Sequence, residues 1–172
     1  MKKILIAAAI LAATPVLAQP IPTILPNPTQ AEGTAPRPER GRGIPTALAI
    51  EAATTANDTC KTNGNITTTV VVDSEGTPIV VISNDGARAI TQRIAQGKAM
   101  IALKTKGASD PAIAGKVDAA ITGPLGVARP GGFPLMAGAD VVGAIAVSGA
   151  PSGQADEVCA RAAIAKIQAR IK

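Results

Sequence analysis

The amino-acid sequence predicts an α+β protein, an antiparallel sheet with helices packed on it. Three observations carry the prediction. Periodic segments follow one another in the order α-β-β-α-(α)-β-β-α, with each pair of strands reading as a hairpin. Val141 to Ser148 is almost unbroken in apolar and small residues, as a strand covered on both faces would be. The first helical segment carries Ala49, Ala53, Ala56 and Cys60 as one small-residue stripe, with Leu48 and Ala52 beside it.

The elements follow in order. Residues 1–18 read as a secretory signal peptide. Lys2-Lys3 is the charged start, Ile4 to Ala13 is an apolar run too short to span a bilayer, and Val16-Leu17-Ala18 places cleavage after Ala18. The alternative is a retained membrane anchor. Residues 19–43 read as a proline-rich linker. Pro20, Pro22, Pro26, Pro28, Pro36 and Pro38 hold it extended, and Arg37, Arg40 and Arg42 are either solvated or a contact for an anionic surface.

The folded domain is expected over residues 44–172. Pro45 suits the start of a helix that continues from Ala47 to Cys60, with Asn63-Gly64 ending it. Thr67 to Asp73 and Pro78 to Ser83 form a hairpin around Ser74-Glu75-Gly76. A helix is predicted from Ala87 to Lys104, with Ile90, Ile94, Met100 or Ile101, and Ala102 facing inward. Lys106 to Pro111 is a loop, with Ser109 or Asp110 placed to cap a short helix. Phe133 to Met136 and Val141 to Ser148 are strands on either side of a turn at Ala137-Gly138-Ala139-Asp140. Gly143, Ala144 and Ala146 leave that last strand little bulk, so a helix, a second subunit or a ligand must approach its backbone. The final helix, Gln154 to Ile171, starts with Asp156 and Glu157 in its first turn. It turns Ile164, Ile167 and Ile171 inward.

Composition narrows the function classes. One aromatic residue, Phe133, in 172 residues leaves no stacking platform for single-stranded nucleic acid. The formal charge is +5; without Lys2 and Lys3 it is 15 basic against 12 acidic residues, or +3, with no basic cluster suited to DNA. The absence of histidine removes the commonest general base, metal ligand and haem ligand together. Two cysteines cannot build a four-ligand zinc site. Gly97-Lys98 and Gly115-Lys116 lack the spacing of a phosphate loop, and Ser148-Gly149 lacks that of a nucleophile elbow. Asp73, Asp85 and Asp156 are the acidic candidates, each at an element end where capping is the default role. Asn57-Asp58-Thr59 and Asn65-Ile66-Thr67 are formal glycosylation sequons in a chain of bacterial character.

The run GGFPLMAGADVVGAIAVSGAPSGQADEVCA (Gly131–Ala160), preceded by VVVDSEGTPIVVISNDGA (Val70–Ala87) and by GKA at Gly97–Ala99, resembles the GlcG/HbpS family of haem-binding uptake proteins. The likeness covers roughly residues 46–172. It implies a profilin-like, roughly five-stranded antiparallel sheet between helices, a homo-oligomer, and a small-molecule ligand, with haem as the cofactor to consider. Relatives that hold haem iron through histidine have no counterpart residue here; Met100, Met136, Lys98 or a threonine would have to substitute. The resemblance and the small-residue strand place candidate ligand contacts at Asp85, Lys98, Gly131, Gly132, Pro134, Gly143 and Ser148.

The expected function is that of an exported binding protein, periplasmic or secreted, with no transmembrane segment after cleavage and no nucleic-acid partner. The alternatives are a non-catalytic assembly oligomer and an enzyme using Asp85 with Lys98. A Cys60–Cys159 disulfide is also expected, because an exported chain with two cysteines meets an oxidising compartment. The family fold implies that the first and last helices lie antiparallel, which brings the two residues together. Two separate buried thiols are the alternative.

Overall fold

The computed structural model describes residues 41–114 and 128–172. The expected signal peptide, 1–18, and the linker up to residue 40 lie outside the described residues. Helix α1 (Thr46–Thr62) leads into the hairpin β1 (Thr68–Asp73) and β2 (Pro78–Ser83). Helix α2 (Ala89–Thr105) and a single turn, α3 (Pro111–Ala114), follow. A second hairpin, β3 (Gly132–Ala137) and β4 (Asp140–Ser148), precedes α4 (Gly153–Ile167), which tightens into a 3₁₀ turn over Gln168–Arg170.

The described residues form a four-stranded sheet in the order β2-β1-β4-β3, antiparallel throughout. The fold is the α+β class that the element order predicts. β1 and β4 are central, which is why TTVVVD and the end of β4 are buried on both faces. Pro134 sits in β3, an edge strand, where its missing N–H interrupts no ladder on the outer side.

The period-2 alternation of the strands divides the core into two layers. Val71, Ile145, Val147, Leu135 and Phe133 face α1 and α4, whose buried stripes are Ala49, Ala53, Ala56 and Cys60, and Cys159, Ala160, Ala163 and Ile167. Val70, Val72, Ala144 and Ala146 face Ala95, Ala99 and Ala102 of α2. A bulge opposite Leu135 and Met136 shifts the phase of β4, so Val142 joins the first layer and Val141 packs against the second. The close neighbour that the small residues of β4 require is therefore α2, meeting the sheet alanine on alanine.

That contact corrects the expected inner face of α2. Ile90 is exposed and Ile94 and Met100 are only partly buried, whereas Thr91, Ala95, Lys98, Ala99, Ile101, Ala102 and Leu103 are buried. Bulky isoleucines would hold the helix off a sheet face made of Ala144 and Ala146; alanines let it settle. In α4, Ile167 is fully buried, Ile171 nearly so and Ile164 only partly, and the helix ends at Ile167 rather than at Ile171.

Two further links tie segments of the domain together. Cys60 and Cys159 form a disulfide with their Cα atoms 5.4 Å apart, joining the last turn of α1 to the middle of α4 within one layer. Arg42 forms reciprocal backbone contacts with Ser74: Ser74 N–H donates to its carbonyl (2.7 Å) and Ser74 Oγ accepts from its N–H (2.8 Å). The chain thus joins the domain beside the β1–β2 turn. Asn57 of the first sequon is buried; its amide donates to Ile82 O (3.0 Å) and accepts from Thr69 Oγ1 (2.7 Å).

Candidate functional site

A cleft of about 520 Å³ opens at the opposite end of the sheet, where β2 and β4 finish and β1 begins. Its walls come from the α1–β1 loop (Gly64, Asn65, Ile66), the β2–α2 loop with the first turns of α2 (Arg88, Ile90, Thr91, Ile94), Arg129, and the β4–α4 loop (Ser148 to Gly153). Lys98 and Asp156 lie at its base. The size falls in the range of small-molecule sites, roughly 300–1,000 Å³.

Lys98 Nζ donates to Asp156 Oδ2 at 2.6 Å and to Val147 O at 2.9 Å, with the two side chains only 2% and 4% exposed. Asp156 Oδ1 accepts from Ala150 N–H at 2.9 Å, so one carboxylate holds both α2 and the β4–α4 loop. Burial pushes the Lys98 ammonium below its ordinary pKa, against the pull of Asp156, and Arg129 pushes the same way. Burial also raises Asp156, against the attraction of Lys98 and the bond from Ala150. Ser152 caps α4 by accepting from Ala155 N–H.

The turn into β3 closes the back of the pair. Gly131 has φ +117, and a Cβ there would lie 2.8 Å from Asp156 Cβ and 3.0 Å from Lys98 Nζ. A Cβ on Gly132 would lie 2.6 Å from Lys98 O and 2.9 Å from Ser109 Oγ, which accepts the Gly132 N–H. Below the rim, Thr91 Oγ1 donates to Arg88 O (2.6 Å) and therefore accepts from Thr68 Oγ1 (2.8 Å), which in turn accepts from Ser83 Oγ (2.8 Å).

Of the residues expected to contact ligand, Lys98 and Ser148 line the cleft, and Gly131 and Gly132 back it. Gly143 does not: a Cβ there would run into the Val72 carbonyl oxygen, so its small size serves the β1–β4 approach. Pro134 pairs with Ala144 in the sheet. Asp85 is exposed on the β2–α2 loop and lines no part of the cleft; the carboxylate that meets Lys98 is Asp156. Asp73 caps the β1–β2 turn, accepting from Glu75 and Thr77 N–H groups at 2.9 Å each. Asp110 accepts from Ala112 N–H at the start of α3. Arg88 and Arg129 escaped the sequence reading. Both lie in loops with no periodicity, and only the fold brings residues 41 apart onto one rim.

The side chains that could replace histidine on iron are elsewhere or already engaged. Met100 lies against Gly76 in the β1–β2 turn, where a Cβ would sit 2.5 Å from its sulfur. Met136 pairs with Val141 near the same end of the sheet. Both cysteines are in the disulfide. Among the described residues, no three His, Cys, Asp or Glu side chains converge as a metal site.

Residues 44–165 match the model of the family described as haem degrading protein HbpS-like. Two solved structures extend the likeness. A doubly substituted HbpS of Streptomyces reticuli is 28% identical, with 91% of this chain and 98% of that one covered and a TM-score of 0.65. HbpS itself is 26% identical, with 78% and 97% covered and a TM-score of 0.67. A complex of PduOC with heme, 22% identical over 72% of this chain and 94% of that one, has the same fold at a TM-score of 0.62. No curated protein matches the chain.

Proposed function

The chain belongs to the HbpS-like haem degrading protein family, and on that premise we propose that it is an exported protein that binds a small acidic ligand of tetrapyrrole size in the cleft above Lys98 and Asp156. The observation that carries this reading is the composition of the cleft wall. Ile66 and Ile90, 51% and 42% exposed, line the same cleft as Arg88 and Arg129. Open apolar surface in a cleft that also carries positive charge suits a ligand with an apolar body and acidic edges.

Export rests on the leader at residues 1–18 and on the buried Cys60–Cys159 bond, which an oxidising compartment sustains. Self-association belongs to the same proposal: Ile50 of α1 and Val158 of α4 leave apolar side chains on the outer surface of their layer. Enzyme chemistry through Asp85 and Lys98 has no support in the geometry, because Lys98 is committed to Asp156 and Val147.

An absorption titration tests the reading. Having neither Trp nor Tyr, the protein is nearly transparent near 280 nm, and a bound chromophore stands out. The expected result is saturation at one tetrapyrrole per chain. A signal that rises linearly without saturating would rule the cleft out as a specific site.

A further inference from the structure

We infer that this cleft recognises its ligand through acidic groups rather than through a metal, so that a metal-free dicarboxylic porphyrin binds as well as its iron complex. The inference rests on the reading of the cleft as a tetrapyrrole-sized site and adds what does the recognising.

The donor set decides against iron. An axial bond needs a free imidazole, thiolate, thioether or comparable donor aimed into the site. The chain has no histidine, and both cysteines are bonded to each other. Met100 and Met136 lie toward the far end of the sheet. Thr91, the threonine on the cleft wall, is 5% exposed, with its hydroxyl held by Arg88 O and Thr68. Lys98 is buried with its nitrogen bonded to Asp156 and Val147 and backed by Gly131. Among the described residues, no imidazole, thiolate, thioether or amine is free to bond the iron of a porphyrin in this cleft.

The charges decide for acids. Arg88 and Arg129 line the same cleft, and each guanidinium can donate two parallel N–H bonds to a carboxylate. Burial lowers the Lys98 pKa at the floor of the site, and the positive charge of Arg129 acts in the same direction. The carboxylate of Asp156 does not cancel them, because it is covered by Lys98 and by the Ala150 N–H. Ile66 and Ile90 then meet the apolar body between the acidic ends.

The test compares three probes on the purified full chain: protoporphyrin IX, its iron(III) complex, and the metal-free dimethyl ester, each followed by visible absorption. The two diacids are expected to bind with dissociation constants within about threefold of each other, a small fraction of an axial-bond energy. The diester and the variants Arg88→Ala and Arg129→Ala are each expected to show affinity about tenfold weaker, the scale of one charge-assisted hydrogen bond. Iron-complex binding about a hundredfold tighter than that of the free base would overturn the inference while leaving the cleft as the site. Equal binding of diester and diacid would overturn the role of the acidic groups, and that arm needs no variant to fold. If neither diacid binds, the tetrapyrrole reading of the cleft falls, and this inference with it.

Discussion

Lys98 Nζ lies 2.6 Å from Asp156 Oδ2, both side chains buried, and this contact joins α2 on one face of the sheet to the start of α4 on the other. The pair adds a polar link to the close packing of α2 on the sheet, where alanines make much of the contact. Removing water from two charges costs several kcal/mol per ion, which their attraction only partly offsets. Lys98→Met alone strands a buried carboxylate and should destabilise the protein by about 3–5 kcal/mol. The double change Lys98→Met with Asp156→Leu should return most of that, to within about 2 kcal/mol of the parent. Urea denaturation of the three proteins measures both quantities. A single variant as stable as the parent would show that the pair does not hold the helices.

The same pair sets a pH signature. Burial raises the Asp156 pKa, so between that raised value and the ordinary 3.8 the folded state holds a proton that the unfolded state lacks. This contribution to stability is present below 3.8 and is lost as pH rises through the folded value. Lys98 is lowered from 10.5, so its contribution is present at high pH and is lost as pH falls through its folded value. Relative to the double apolar variant, the parent should be least favoured near neutral pH and gain toward both extremes. Parallel stability curves for the two proteins from pH 4 to 10 would contradict the assignment.

The disulfide closes a sequence separation of 99 residues. A loop of that length corresponds to roughly 4–5 kcal/mol of lost denatured-state entropy. Replacing both cysteines by alanine should lower the urea midpoint accordingly, and reductant should have no further effect on that variant. Titration of two free thiols in the denatured, unreduced parent would refute the bridge.

Gly143 and Gly138 separate crowding from backbone conformation. Gly143→Ala forces a methyl group into the Val72 carbonyl between the two central strands, and should cost about 1–3 kcal/mol. Gly138, at φ +61 in the β3–β4 turn, has open space around it, so Gly138→Ala should cost only about 1–2 kcal/mol, the left-handed penalty of an L-residue. Because Gly143 lies away from the cleft, its variant should retain ligand affinity when assayed well below its unfolding transition. A selective loss of affinity would return Gly143 to the site.

What the chain determined by itself is local. β-branched runs at Thr68–Asp73 and Pro78–Ser83 are strands because their backbones favour extended geometry, and the turns between them contain the residues that such turns need. The alanine stripe of α1 is visible because helical period alone defines it, and the chain's two cysteines offer only each other as bridge partners. Tertiary structure decided everything that depends on which surface meets which. Ile90 and Ile94 outrank alanine in hydrophobicity, yet Ala95, Ala99 and Ala102 are buried, because Ala144 and Ala146 present a flat face that admits only a close helix. Asp85 stood nearer to Lys98 in sequence, but the partner is Asp156, 58 residues away, because α4 starts where β4 delivers the chain to the foot of α2. Arg88 and Arg129 became one cleft rim for the same reason: periodicity reports the neighbours along an element, and a site is made of neighbours across elements.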